Sequence, residues 1–260
     1  MGKLIQSEYF KMWKSMSDIA IRQEFSAIEQ IKLEPHSFTF YTSVSVMCSS
    51  KIEGEPMEVD SYVKHKMLHV EYLPELTEKP NDLYKAYLYA KDNRSNPKNF
   101  LQAHHLVAAN LLPQKQRGAM RQTEMLVMEH RTGRIQYEAA SLHIVKEQYD
   151  NLWKEIVILL KAALSIEEIF YYAAFIHLTF VNIHMFADGN GRMARLLEKW
   201  FLAEKLGDCA WYIKSEKYYY MYVGDYYKNL ARLGWSYESL DYEKSIPFLL
   251  MLPQALIFEK

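Results

Sequence analysis

Apolar positions recur at intervals of three and four along most of the chain, and few residues interrupt them. Residues 4–31 carry this helical spacing. After "LEPHSF", where Pro35 offers a helix start, a second segment runs to "SSKIEGEP" and is broken by Gly54 and Pro56. Within it, "FTFYTSVSV" is rich in β-branched and aromatic residues. Intrinsic preference favours a strand there, and periodicity does not decide. "DLYKAYLYAKD" predicts a helix, "NRSNP" a loop and "KNFLQAHHLVAANLL" another helix. "MLVMEHRTGRIQYEAA" is the best hairpin candidate, with an apolar run, a turn at Thr132-Gly133 and then "RIQYE". "LHIVKEQYDNLWKEIVILLKAAL" is helical again. Ser165 and Glu168 stand at capping-box spacing before an apolar helix over 166–184. "MARLLEKWFLAEKLG" sets Met193, Leu196, Leu197, Trp200 and Phe201 on one stripe, with Gly207 as its stop. The tail "WSYESLDYEKSIPFLLMLPQALIFEK" reads as one packing helix.

Composition agrees with a mainly α, globular chain. Half of the 260 residues are apolar, 24% are charged, and glycine and proline number only 9 and 8. The formal net charge is −1, which argues against direct binding of nucleic acid through the overall field. Cys48 and Cys209 are the only cysteines and have no metal-like spacing, so neither a disulfide framework nor a zinc site is implied. "MGKLIQSEYFKMW" lacks the apolar core of a signal peptide. The most apolar run, residues 169–186, holds His177, Asn182 and His184, which suits a buried central helix better than a membrane span. A soluble, cytoplasmic protein without membrane association is expected. The composition shift at residues 92–97 divides the chain into a helical region, 1–95, a core, 96–235, and a packing segment, 236–260.

The chemistry concentrates in "HMFADGNGRMAR", residues 184–195. On the predicted scaffold His184 ends the buried helix, "FADGNG" forms a tight loop, and a second helix starts near Asn190. A helix start presents unpaired N–H groups and a positive dipole end, which attract phosphate. Gly189 and Gly191 let the backbone curl into an anion nest. Arg192 and Arg195, three apart, can face one anion together. Asp188 offers a hard oxygen to Mg²⁺. His184 is placed to take a proton from a hydroxyl near neutral pH, and Phe186 anchors the loop. These residues together point to transfer of a phosphorus-containing group to a hydroxyl.

With every defining position filled, the stretch resembles the signature of the Fic family, His-x-Phe-x-Asp/Glu-Gly-Asn-Gly-Arg-x-x-Arg. Gly118 and Arg121 in "RGAMR" resemble the family's Gly-x-x-Arg element, "HRTGRIQYE" falls where its β-hairpin flap belongs, and "KYYYMYVGD" resembles the tyrosine-containing helix after the motif. The resemblance implies a Fic-type helical bundle with a short β-hairpin flap. It also implies AMP transfer from ATP to a Ser, Thr or Tyr hydroxyl of an unknown target protein, with release of pyrophosphate. His184 would be the base and Asp188 the Mg²⁺ ligand. Asn190, with the amides around Gly189 and Gly191, would hold the α-phosphate region, and Arg192 and Arg195 would grip the outer phosphates. A related toxin branch carries lysine at the position of Gly191 and transfers a terminal phosphate, so Gly191 favours nucleotidyl transfer. Tyr218 and Tyr219 are candidates for the adenine side of the pocket.

"SSKIEGE" resembles the family's inhibitory motif, Ser/Thr-x-x-x-Glu-Gly/Asn, through Ser49, Glu53 and Gly54. That places an N-terminal helical regulatory region ahead of the core and favours helix over 36–52 against the local strand preference. Its Glu53 carboxylate would pair with Arg195, which the γ-phosphate also needs. Removing one partner of a buried, charge-assisted pair is an effect on the order of several kcal/mol. Two other readings fit the same residues. One is the reverse reaction, hydrolysis of AMP from a modified protein with Glu53 positioning water. The other is a nucleotide-sensing module without turnover. A homodimer that tunes the brake is compatible with the family. His104 and His105 have no acidic partner at metal-ligand spacing and read as packed core.

Overall fold

The most apolar segment of the chain is its central helix. The computed structural model describes residues 3–30, 36–128 and 135–258. Helices α1 (Phe10–Met16) and α2 (Ile21–Glu29) occupy the segment expected to be continuous over 4–31. Ser17 is extended, with ψ 121°, and divides them. Ser17 and Asp18 are residues whose short polar side chains compete with helical backbone bonding. The break lets Trp13 pack at a ring-centroid distance of 5.5 Å from Tyr171, and Phe25 at 6.4 Å from Phe170.

Helix α3 (Ser37–Ile52) follows, and the strand-prone "FTFYTSVSV" lies wholly inside it. From Thr42 to Ser50 nearly every residue is buried, because α4 (Val59–Leu68), α5 (Pro74–Asp92), α9 (Asn190–Leu206) and α10 (Ser215–Met221) enclose it. Its serines are small enough for these neighbours to approach, and Ser43 Oγ donates to Thr39 O at 2.6 Å within the helix. Tertiary packing therefore overrides β-propensity. The expected start signal at Pro35 lies outside the described residues.

Asn96 caps α6 (Pro97–Val107), accepting from Asn99 N at 2.9 Å. Strands β1 (Leu126–Met128) and β2 (Ile135–Glu138) pair antiparallel, with Leu126 opposite Glu138 and Val127 opposite Tyr137. The predicted turn residues Thr132 and Gly133 lie outside the described residues. Helix α7 (Leu142–Lys161) leads to the central α8 (Ile166–Ile183), which opens with the expected capping box. Ser165 Oγ accepts from Glu168 N at 3.2 Å, and Glu168 Oε2 accepts from Ser165 N at 2.8 Å. Helix α9 (Asn190–Leu206) packs along α8 and stops at Gly207, whose φ is +84°. Helices α10 (Ser215–Met221) and α11 (Val223–Ala231) close the bundle.

The single helix expected over 236–260 is not formed. Short 3₁₀ turns at Tyr237–Ser239 and Tyr242–Ser245 precede α12 (Ile246–Leu249) and α13 (Met251–Gln254). Pro247 and Pro253 each remove a donor and crowd the preceding turn, so a continuous ladder cannot run through them. One hydrophobic core extends from Ile5 to Leu256 and crosses the composition shift at 92–97 without interruption. Among the described residues no helix is long and apolar enough to cross a membrane.

Candidate active site

His184 leaves α8 in the left-handed region, with φ 54° and ψ 56°. A non-glycine residue there needs support from its surroundings. Arg121 supplies it. Its Nε donates to His184 O at 2.8 Å and its Nη1 to Thr123 O at 2.7 Å, while its Nη2 donates to Ala140 O. The backbone N–H of Arg121 bonds Met185 O at 3.0 Å. Gly118 makes this approach possible: its φ is +67°, and a Cβ there would stand 2.7 Å from Leu101 O. The Gly-x-x-Arg element therefore fixes the turn that carries the histidine. From the flap, Tyr137 OH donates to Asn182 O at 2.9 Å, two residues before His184 in α8.

The His184 ring is oriented by its own helix. Nδ1 lies 3.0 Å from Val181 O and donates to it, which leaves Nε2 as an acceptor. Burial, reinforced by the Arg121 charge, holds the imidazole below its ordinary pKa, while Val181 O, Glu53 and Asp188 act the other way. A neutral ring with a lone pair on Nε2 is what a general base requires.

The loop after His184 is held from inside. Phe186 is fully buried and stacks on His104 at 3.5 Å, with the rings 2° from parallel. Gly118 N–H donates to His104 Nδ1 at 2.9 Å, so the ring carries its proton on Nε2 and donates it to Asp188 O at 3.0 Å. Burial lowers the His104 pKa to about 4, which keeps the ring neutral. The histidine read as ordinary core thus braces the loop. Asn190 is used in the same way. Its Oδ1 accepts from Phe186 N at 2.9 Å and its Nδ2 donates to Phe186 O at 2.8 Å, so both ends of the amide close the loop. The side chain expected at the α-phosphate thus also ties the loop together, with one of its two Nδ2 hydrogens used in doing so.

Gly189 precedes α9 as its N-cap residue, with φ +81° and no side-chain cap. Gly189 N–H turns to Asp188 Oδ1 at 2.5 Å, and Asp188 is exposed beside it. Among the described residues no three His, Cys, Asp or Glu side chains group as a protein-only metal site. A lone exposed carboxylate fits Mg²⁺ bound partly through phosphate oxygens.

Both arginines are buried on the first turns of α9. Arg192 Nε has no hydrogen-bond partner among the described residues. Arg195 is held from α3. Its Nε donates to Ser49 Oγ at 2.8 Å, and its Nη2 to Ser49 O at 3.1 Å and to Glu53 Oε1 at 2.5 Å. Glu53 closes the C-terminal end of α3, followed by Gly54 with φ +90°. Burial works to raise the Glu53 pKa, but Arg195 and Arg192 outweigh it and hold the carboxyl below its usual range. Gly191 faces the same carboxylate: a Cβ there would collide with Glu53 Oε1 and stand 3.2 Å from Arg195 Nη1.

His184, Gly191, Arg195 and Glu53 line one cavity of about 150 Å³, walled by Val127 and Tyr137 of the flap and by Tyr226, Tyr227 and Leu230 of α11. Tyr218 and Tyr219 do not line it. Tyr219 is fully buried and donates to Glu198 Oε2 at 2.8 Å, while Tyr218 packs on Tyr222 and Phe258. The aromatic wall comes one helix later. The signal for it is the spacing of Tyr226, Tyr227 and Leu230, which share one side of α11.

Residues 94–202 match the Fic/DOC family. The fold is that of solved Fic structures. A Fic family protein from Desulfovibrio desulfuricans G20 is 19% identical with a TM-score of 0.72, over 91% of this chain and 70% of that one. A Fic-domain-containing signaling protein from Bacteroides thetaiotaomicron VPI-5482 is 18% identical with a TM-score of 0.69, over 91% and 92%. Fic-1 from C. elegans is 17% identical with a TM-score of 0.63, over 95% and 68%. No curated protein matches the sequence significantly. By its family match over residues 94–202, its complete motif and its architecture, the chain carries a Fic/DOC family domain within the fold of solved Fic proteins.

Proposed function

We propose that this protein transfers AMP from ATP to a hydroxyl of another protein and keeps itself inactive through Glu53. One observation carries the reading: Glu53 occupies the guanidinium of Arg195 in the cavity lined by His184. A carboxylate there mimics an anionic ligand, and buried arginines beside a helix start are suited to a triphosphate.

In the reaction, His184 Nε2 accepts the proton of the target hydroxyl as its oxygen attacks the α-phosphorus. The new P–O bond forms as the bond to the pyrophosphate oxygen breaks, and pyrophosphate leaves with that electron pair. The free amides at the start of α9 and the Arg192 guanidinium bind the phosphates. Arg195 orients the outer ones once Glu53 withdraws. Asp188 would hold Mg²⁺, which supplies charge neutralisation at the phosphates. The target is a protein presented over the flap, and a homodimer is compatible with the scheme. A free Nε2 on His184 favours turnover over nucleotide sensing alone.

The test compares wild type, Glu53→Gly and Glu53→Gly with His184→Ala, using labelled ATP and a lysate of the source cell. Labelling of protein rises roughly ten- to a hundredfold in Glu53→Gly, as expected for loss of one charge-assisted bond. The second substitution removes general-base catalysis, a loss of about 10²–10⁴-fold. A Glu53→Gly protein that binds ATP yet labels nothing would overturn the proposal.

A further inference from the structure

Behind Arg195 lies a buried polar chain that the transfer scheme does not use. Glu198 on α9, His177 on α8, Tyr219 on α10 and Tyr226 on α11 are all 1% exposed or less. His177 Nδ1 stands 2.8 Å from Glu198 Oε2, and His177 Nε2 stands 2.9 Å from Tyr226 OH. Tyr226 OH in turn lies 3.4 Å from Arg195 Nη1.

The donors can be assigned from chemistry. A carboxylate only accepts, so His177 Nδ1 carries a proton and gives it to Glu198. In the neutral ring Nε2 then holds a lone pair and accepts the Tyr226 proton. With its proton turned to His177, the Tyr226 oxygen presents lone pairs to Arg195 Nη1–H. Every bond points one way, from Arg195 through Tyr226 and His177 to Glu198. Reversing the histidine would leave Glu198 facing a lone pair and Tyr226 with its proton aimed at a guanidinium. Tyr219, also donating to Glu198 Oε2, reinforces the chosen direction.

Arg195 therefore keeps three partners that do not depend on Glu53, namely Ser49 Oγ, Ser49 O and Tyr226 OH. We infer that Tyr226, backed by His177 and Glu198, is a positioning residue that aims the Arg195 guanidinium at the outer phosphates of the nucleotide. On this account the anion meets a guanidinium already in place when Glu53 leaves. The inference rests on the nucleotide reading above.

The experiment measures binding by calorimetry in the Glu53→Gly protein with and without Tyr226→Phe, a change that keeps the ring and removes only the hydroxyl. The probes are ATP, inorganic tripolyphosphate and adenosine. ATP and tripolyphosphate are expected to bind about tenfold more weakly in Tyr226→Phe, as for loss of one bond to a charged group, while adenosine is unchanged. Equal weakening of adenosine would assign Tyr226 to packing and overturn the inference, as would unchanged binding of all three. Binding of tripolyphosphate but not ATP would sink the nucleotide reading and leave the aiming role standing. Failure of Glu53→Gly to bind either phosphate probe would sink both.

Discussion

At the scale of single residues, the site depends on side chains whose roles are set by partners rather than by identity. His184 presents Nε2 to the cavity only because Val181 O takes the Nδ1 proton and Arg121 holds the residue in a left-handed turn. Since burial lowers its pKa from the ordinary histidine value, the ring loses its proton at a lower pH than a free histidine. The base form therefore dominates at neutral pH. Transfer by the Glu53→Gly protein is expected to show an acid limb whose midpoint lies below the ordinary histidine value of about 6.5. A kcat profile between about pH 5 and 8 checks this, and an acid limb centred at or above the ordinary histidine value would count against it. The motif itself was legible in the sequence, because its residue types and spacing survive translation into geometry. The jobs of Asn190 and His104 were not. Both bond backbone groups of the loop, and nothing in a residue's type announces which groups its polar atoms will hold.

At the scale of elements, legibility followed how far local signals agreed with packing. The capping box at Ser165 and Glu168 was visible as spacing and forms in full. Ser165→Ala removes the acceptor for Glu168 N and is expected to cost about 1 kcal/mol. For a chain of this length that is a fall of about 2–4 °C in Tm, read by calorimetry; no shift would mean that α8 is held by burial alone. Helix α3 shows the opposite case. Its β-branched and aromatic residues favour a strand, yet burial on nearly all sides makes it helical, and only the resemblance of "SSKIEGE" to a helical brake predicted that. The C-terminal segment failed for a simpler reason. Its apolar content suits a helix, but Pro247 and Pro253 interrupt the backbone ladder, so its hydrophobic residues reach the core on short turns.

For the whole molecule, helix α3, which carries Ser49 and Glu53, is part of the core. Arg195 and Lys199, one turn apart on α9, meet Ser49 and Ser45, one turn apart on α3. The second rung continues into a buried pair: Lys199 Nζ bonds Glu216 Oε2 and donates to Ile213 O at 2.7 Å, and Tyr87 OH donates to Glu216 Oε1 at 2.6 Å. Four helices, α3, α5, α9 and α10, thus share one polar knot with no exposed charge. Burial tends to raise the Glu216 pKa, and Lys199 with Tyr87 reverses it, so the carboxylate stays ionised while its partner is present. Lys199→Met removes that partner and strands a charge among apolar neighbours. The expected loss is about 3–5 kcal/mol in urea unfolding. Adding Glu216→Gln removes the stranded charge and keeps an acceptor for Tyr87, so most of that loss should return. If the double variant is no more stable than Lys199→Met, the pair does not hold the bundle together by charge, and the bonds from Lys199 Nζ to Ser45 Oγ and Ile213 O carry the loss instead.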